Sequence, residues 1–312
     1  MLARWAFWDW LAWRCVLLTT MCGHKRRLCA LSGHVCRGRP AQGSRGGAAG
    51  VAGEAAAPGA AGAAAAAGAP PGILSGVRVL DLATVIAAPS TAAMLADFGA
   101  DCVKIEPPGG DSWRSGGAMF ANDNRGKRSV CLDLTSAEGR GVLLQLVERA
   151  DVVVTNMRPR ALRKLGCDYE SLRAANPTLI FAVLTAHGLR GPDVDKPGYD
   201  IGAFWARTGL QELSGTQREA LGNYPGGNGD HTTALSLLAA VLGALYHRER
   251  TGEGQMVEAS LFRSGIWTVG CAVTAWAGHG STQFRTERTD FYNPLLNACK
   301  WARTRKPISP RV

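Results

Sequence analysis

The chain has 312 residues, of which 46% are apolar and 19% are charged, as expected for a globular protein with one or two hydrophobic cores. No run of 18 or more residues is both uncharged and strongly apolar, so the sequence does not predict a membrane-spanning helix. Residues 1–72 contain eight Lys or Arg against two acidic residues, and this +6 is most of the net charge of +10. The basic excess therefore belongs to the N-terminal segment and does not indicate nucleic-acid binding.

The first 45 residues have the composition of a targeting segment. They begin with a Trp/Leu-rich stretch, continue with Lys25-Arg26-Arg27 and scattered Arg, and contain almost no acidic residues, which predicts a mitochondrial transit peptide and a location in the matrix. A secretory signal is the alternative, since residues 11–21 are fairly apolar, but Arg14 interrupts them. Residues 46–72 are Ala/Gly/Pro low complexity and predict a disordered linker, so we expect the folded part to begin near Ile73.

The cysteines do not predict a metal site. Four of them recur every seven residues in the N-terminal segment (Cys15, Cys22, Cys29 and Cys36), which matches no short zinc spacing. The other five are scattered singly along the chain. We therefore expect no metal ion.

From Ile73 onward, strand and helix signals alternate. Buried strands are predicted over 77–82, 102–106, 129–134, 152–155 and 179–184, and helices over 89–95 and 136–150. This alternation predicts an α/β domain with an open, largely parallel, Rossmann-like sheet, whose ligands lie at the carboxyl ends of the strands. The first turn lacks the Gly-x-Gly-x-x-Gly pattern, so a dinucleotide site is not predicted.

One stretch, Gly226 to His247, combines three glycines, the carboxylate of Asp230 and a long apolar run. The run predicts a helix buried on most of its circumference, with Asp230 at or beside its N-cap. Free N–H groups and the helix dipole at that place favour an ionised, uncovered carboxylate, which is a possible nucleophile. Taken alone, an Asp in this setting is most often a plain helix cap.

Several sequence blocks resemble the family III CoA-transferases in the order of that family. They include Gly229-Asp230 with its apolar helix, and residues 247–258 after it. The others are residues 80–90, 95–108, 124–134, 151–159, Leu165-Gly166 and 197–200. The resemblance implies the α/β fold of that family over residues 73–264. It also implies that coenzyme A esters are substrates and that no cofactor is tightly bound.

The resemblance also implies roles for individual residues. Asp230 stands where the family has its nucleophile, which becomes acylated. By their positions in the family blocks, the residues expected to contact CoA are Ile86 and Ala87, through the backbone, and Asn156, Met157, Arg158, Lys164, Tyr199 and Asp200. Arg158, Arg160, Arg163 and Lys164 form a basic cluster suited to the phosphates of CoA. The glycines at 226, 227 and 229 are candidates for the N–H donors to an oxyanion.

Within the family, the leader and the blocks together are similar to mitochondrial members that use succinyl-CoA and a dicarboxylic acid such as glutarate or 3-hydroxy-3-methylglutarate. Those members form interlocked homodimers. The recognisable pattern fades after about Ser264, and residues 265–312 are predicted to be the start of a linker to a small domain followed by an atypical basic tail. We therefore expect a truncated or alternatively spliced form, for which a non-catalytic CoA-binding remnant is one alternative.

A 2-methylacyl-CoA racemase is a second alternative, because these enzymes share the scaffold. They use a His–Asp pair to move the α-proton, with the His in a Gly-His-Asp block, where this chain has Gly198-Tyr199-Asp200. A phenol with a pKa near ~10 is a poorer base at neutral pH than an imidazole near ~6.5. His187 and His231 are the nearest other bases, and each is predicted to be a structural or surface histidine. The sequence therefore favours transfer.

Overall fold

A computed structural model describes residues 71–214 and 226–280. The predicted transit peptide, nearly all of the predicted linker and the basic tail lie outside these residues. None of the helices within the described ranges is long and apolar enough to cross a membrane.

The fold is built on a six-stranded parallel sheet with the strand order β3-β2-β1-β4-β5-β6. This confirms the predicted open α/β sheet. The strands are β1 (Arg78–Asp81), β2 (Asp101–Glu106), β3 (Arg128–Cys131), β4 (Val152–Thr155), β5 (Ile180–Thr185) and β6 (Met256–Ser260).

Helices cover both faces of the sheet and are named here in chain order. They are α1 (Ala87–Asp97), α2 (Ala118–Asp123), α3 (Ala137–Val147), α4 (Pro159–Leu165), α5 (Tyr169–Ala175), α6 (Leu210–Leu213), α7 (Asn228–Thr251), α8 (Leu261–Thr268) and α9 (Gly270–His279). A short 3₁₀ helix spans Ser112–Gly116, and a π-helix spans Asp200–Ala206. Helix α1 begins two residues before the predicted Pro89, and Ser136 caps α3 through a hydrogen bond from the Gly139 N–H.

An apolar core lies on each face of the sheet. On one face, α1 and α7 pack against the strands through residues such as Leu95, Leu237 and Val241. On the other face, α3, α4 and α5 contribute residues such as Leu143 and Leu172. Because both faces are covered, β4 and β5 are nearly continuous apolar runs, and all four residues of β4 are buried.

Helix α7 was predicted to be buried on most of its circumference, and this prediction is wrong. Leu237, Leu238 and Val241 are buried against the sheet, whereas the side chain of Leu235 is 52% exposed. The helix thus has one buried stripe and an outer face that is accessible within the described residues.

The strand order reverses at β1 and β4, because the chain leaves β1 toward β2 on one side and later returns to β4 on the other. Loops after neighbouring strands diverge at such a switch point and leave a crevice at the carboxyl edge of the sheet. The β1–α1 loop and the segment after β4 therefore border the place where a ligand is expected.

Candidate active site

Asp230 lies in the first turn of α7, but it does not cap the helix. The N-cap is Gly227, whose φ of +88° is in the left-handed region, and Asp230 is the third helical residue. No side chain makes a cap hydrogen bond at this end. The predicted position at or beside the N-cap is therefore corrected to the third helical position, where the carboxylate still lies close to the positive end of the helix dipole.

The environment of Asp230 opposes ionisation, contrary to the prediction of an ionised, uncovered carboxylate. The residue is only 9% exposed. Burial raises the pKa of Asp230 to about 7, the nearby Asp200 and Asp123 add to this, and His231 lowers it. At neutral pH the carboxyl group is therefore partly protonated, and its neighbours decide how much of the reactive anion is present.

Asp200 opens the π-helix and holds the N-terminus of α7. Its Oδ2 accepts a hydrogen bond of 2.9 Å from the Gly227 N–H, and the residue is 4% exposed. Burial raises the pKa of Asp200, although the backbone N–H groups of Gly227 and Gly229 lower it. The Gly227 N–H is thus directed to Asp200, which contradicts its predicted role as a donor to an oxyanion. The same role for the N–H groups of Gly226 and Gly229 stays a prediction.

Gly229 allows the π-helix to approach α7. A Cβ at this position would overlap the Oδ1 of Asp200 and the ring of Phe204. Gly229→Ala is expected to lower the free energy of unfolding by about 1–3 kcal/mol through overpacking and to displace Asp200. Gly243→Ala in the same helix is the matched control, because a Cβ there meets nothing within 4 Å, and we expect it to be neutral or stabilising by ~0.5–1 kcal/mol. Urea denaturation of both variants checks this, and equal midpoints would contradict it.

His231 is paired with a buried carboxylate. Its Nε2 lies 3.0 Å from Oδ1 of Asp123, which is 1% exposed, while the His231 side chain is 47% exposed. The same Oδ1 accepts hydrogen bonds from Ser90 Oγ at 3.0 Å and Asn122 Nδ2 at 2.8 Å. The hydrogen bond with Asp123 raises the pKa of His231. The prediction of a structural or surface histidine did not anticipate this pairing beside the proposed nucleophile.

The β1–α1 loop has a strained backbone that side chains hold in place. Val85 has φ +68°, and it is the one non-glycine residue with positive φ in the described ranges. This conformation is costly for a β-branched residue. The side-chain amide of Asn156 accepts from the Thr84 N–H at 3.1 Å and donates to the Thr84 carbonyl at 2.8 Å. Asn156, predicted to contact CoA, therefore uses its amide to bridge the switch point and fix the loop.

Buried charged side chains also hold the β1–α1 loop in place. Lys127 Nζ donates to Asp81 Oδ2 at 2.7 Å, to the Pro89 carbonyl at 2.8 Å and to the Asp123 carbonyl at 2.9 Å. Its side chain is 1% exposed, and burial lowers the pKa of Lys127 although Asp81 opposes this. Lys104 Nζ similarly donates to the Ala83 carbonyl at 2.6 Å. The loop and the end of α2 are thus attached to one ionic cluster.

The other predicted CoA contacts lie in loops or near the ends of helices. Ile86 and Ala87 are buried at the start of α1, and Met157 is half-buried. Arg158 is the exposed N-cap of α4, and Lys164 is exposed in its last turn. Tyr199 is 75% exposed, next to buried Asp200. Ile86 lies close to α7, since a Cβ at Gly227 would be 3.6 Å from Ile86 Cδ1. The basic side chains of α4 are accessible.

Sequence reasoning missed Asp123 and the cluster of Asp81, Lys104 and Lys127. The available signal was a charged residue inside an otherwise apolar strand, as in Leu80-Asp81-Leu82 and Val103-Lys104-Ile105. Such charges are retained in a core only when they are paired. Among the described residues no group of His, Cys, Asp or Glu could hold a metal ion.

The sequence matches CoA-transferase family III over residues 74–302. The chain belongs to this family. The match includes every element described above and extends past residue 264, where the family pattern was predicted to fade.

Curated relatives and a solved structure agree with the family. The chain is 36% identical to (R)-2-hydroxy-4-methylpentanoate CoA-transferase of Clostridioides difficile, over 73% of this chain and 60% of that protein. It is 39% identical to succinate–glutarate CoA-transferase of Agrobacterium fabrum, over 60% and 50%. A CAIB/BAIF family protein from Brucella suis superposes with a TM-score of 0.68 at 33% identity, covering 70% of this chain and 61% of the other. The chain thus spans about 50–60% of the length of these relatives.

Proposed function

We propose that this protein transfers CoA from an acyl-CoA donor to a carboxylic acid acceptor, with Asp230 as the nucleophile. The observation that carries the proposal is that Asp230 is buried in the first turn of α7, a helix whose N-cap Gly227 lies close to Ile86 at the start of α1. Its pKa of about 7 means that a usable fraction is ionised at neutral pH, and a carboxylate with little solvation is a strong nucleophile.

The chemistry proceeds through covalent intermediates. A carboxylate oxygen of Asp230 attacks the acyl carbon of the donor thioester, the C–S bond breaks, and CoA leaves as a thiolate from a mixed anhydride. The thiolate then attacks the Asp230 carbonyl carbon, which gives an aspartyl-CoA thioester and releases the donor acid as a carboxylate. The acceptor carboxylate repeats these steps in reverse, so the energy of the thioester is retained and Asp230 is restored.

The surrounding residues are assigned supporting roles. Arg158 and Lys164 are exposed at the switch-point side and suit the phosphates of CoA, whereas Ile86 and Ala87 contribute backbone close to α7. Met157, Tyr199 and Asp200 complete the predicted CoA contacts, and Asp200 also holds the N-terminus of α7 through Gly227. CoA esters are substrates in this scheme, and no tightly bound cofactor is required.

The pH dependence of the acylation step follows from the carboxyl group of Asp230. Because its pKa is about 7, the reactive anion becomes scarce below that pH. We expect kcat/KM for the acyl-CoA donor to fall about tenfold per pH unit below roughly pH 6.5 and to be level above roughly pH 7.5. A pH–rate profile of CoA release checks this. A profile that stays level down to pH 5 would contradict the raised pKa of Asp230.

For the substrates we propose succinyl-CoA as the donor and a dicarboxylic acid such as glutarate or 3-hydroxy-3-methylglutarate as the acceptor. Support comes from the similarity to succinate–glutarate CoA-transferase of Agrobacterium fabrum and to succinyl-CoA:mesaconate CoA-transferase of Haloarcula hispanica, which is 41% identical over 62% of this chain. We further propose the mitochondrial matrix as the location, on the composition of residues 1–45, and an interlocked homodimer as the assembly.

The test is to incubate the full chain with succinyl-CoA and glutarate and to follow glutaryl-CoA by liquid chromatography. Formation of glutaryl-CoA together with an equal amount of succinate supports the proposal. Release of CoA without a new thioester would indicate hydrolysis instead. A parallel reaction with a 2-methylacyl-CoA in deuterated water addresses the racemase, and we expect no deuterium at the α-carbon because the Gly-His-Asp histidine is replaced by Tyr199.

A further inference from the structure

We propose that His231 is a positioning residue that increases the fraction of Asp230 present as the carboxylate, and that Asp123 holds His231 in place and charged. The inference rests on the proposed role of Asp230 and adds a pair of residues to that site. Its basis is the geometry of three side chains at the junction of α1, α2 and α7.

The first observation is the placement of the imidazole. His231 follows Asp230 directly, so both lie in the first turns of α7. A Cβ at Gly227 would lie 3.7 Å from His231 Cε1 and 3.6 Å from Ile86 Cδ1, which places the ring close to the N-terminal end of α7 and the start of α1. Gly227 carries no side chain that would contact this ring, and His231 directly follows Asp230 in the helix.

The second observation is the way Asp123 is anchored. It is the last residue of α2, it is 1% exposed, and its Oδ1 has three partners in His231, Ser90 and Asn122. Its carbonyl is held by Lys127. A buried carboxylate held from several sides fixes the ring through Nε2 and stabilises the protonated imidazole.

The third observation is the balance of charge around Asp230. Asp200 and Asp123 both disfavour a further negative charge there, and burial acts in the same direction. His231 is the cation that opposes them, and the pKa of each group responds to the charge of the other. Arg125 acts against protonation of His231, but it is engaged with Asp97. The imidazolium therefore offsets a cluster of carboxyl groups that would otherwise leave the nucleophile protonated.

The experiment measures the titration of Asp230 directly. The full chain is labelled with aspartate carrying ¹³C in the side-chain carboxyl group, and the Asp230 signal is assigned by its absence from Asp230→Asn. The titration midpoint is then compared among the wild type, His231→Gln, His231→Lys and His247→Gln. His247 is the matched control, since it lies on the exposed side of the same helix.

We expect the Asp230 midpoint to rise by about one pH unit in His231→Gln, to stay near that of the wild type in His231→Lys, which keeps a cation, and to be unchanged in His247→Gln. The rate of CoA release at pH 6 should fall about tenfold in His231→Gln alone. His231→Asn serves the same comparison if the Gln variant does not fold. A midpoint unchanged in His231→Gln, or shifted equally in His231→Lys, would overturn the inference.

The experiments distinguish a failure of the proposed role of His231 from a failure of the proposed CoA-transferase function. Titration shifts of the expected pattern in a protein that releases no CoA from any acyl-CoA would uphold the role of His231 and overturn the proposed function. Normal CoA transfer with an unshifted midpoint in His231→Gln would do the opposite.

Discussion

Asp230→Asn is expected to lower the rate of CoA transfer by at least ~10³-fold, because the amide cannot attack a thioester and no other group replaces the lost nucleophile. Binding of CoA should be retained, since the predicted contacts lie on other segments of the chain. Steady-state kinetics and a CoA-binding isotherm check these two expectations. Glu249→Gln is the matched control, because it removes a carboxylate from the exposed end of the same helix. We expect it to retain full activity.

The stability of Asp230→Asn distinguishes loss of chemistry from loss of the fold. Burial raises the pKa of Asp230 to about 7, so the folded protein holds this proton more tightly than the unfolded chain, whose pKa is near 3.8. The stabilisation from this proton is fully present below about pH 3.8 and is lost as the pH rises through 7. Asn carries no charge, so the variant should be more stable than the wild type at pH 8, by at most about 4 kcal/mol. If Asp230→Asn is less stable than the wild type at pH 8, its lower rate of CoA transfer no longer shows that the nucleophile has been lost.

Lys127→Met is expected to cost about 3–5 kcal/mol of stability, because it removes the nearer of the two cations that pair with buried Asp81. Asp81 is completely buried, and after the substitution its nearest cation is Lys104, 3.7 Å away. The change also removes the donors to the carbonyls of Pro89 and Asp123. The start of α1 and the end of α2 should then loosen, and the pairing of His231 with Asp123 should weaken.

Urea denaturation monitored by circular dichroism measures the effect of Lys127→Met. Lys164→Met is the matched control, since that side chain is exposed and makes no hydrogen bond or ion pair within the described residues. Its stability should stay within about 0.5 kcal/mol of the wild type. A Lys127→Met variant as stable as the Lys164→Met control would show that the ionic cluster does not hold the loop.

Five of the six strands could be predicted from sequence because each has a strong local signal, whereas β6 was not predicted. Residues 152–155 are three valines and a threonine, and β4 has these bounds in the structure with all four residues buried. The alternation of strands and helices then determined the parallel sheet, because crossover connections leave few other topologies. The predicted end of α3 at Ala150 is wrong, because the helix ends at Val147.

The chemistry of the site could not be predicted in the same way, because it depends on contacts between distant parts of the chain. The composition around Asp230 suggested an ionised carboxylate, but its pKa depends on burial and on Asp200, which the π-helix brings to α7. Likewise, the amide of Asn156 was assigned to a ligand, whereas the pairing of β1 with β4 places it beside Thr84. Nothing local to either residue encodes these partners.

The most direct test of the central claim is mass spectrometry of the protein after brief incubation with succinyl-CoA and hydroxylamine, which traps acyl and thioester forms of a carboxyl group as a hydroxamate. Intact masses give the number of adducts, and peptide masses give their position. We predict one hydroxamate, confined to Asp230 and absent from Asp230→Asn. An adduct at another carboxyl group, or none on a folded protein that binds CoA, would contradict the assignment of Asp230 as the nucleophile.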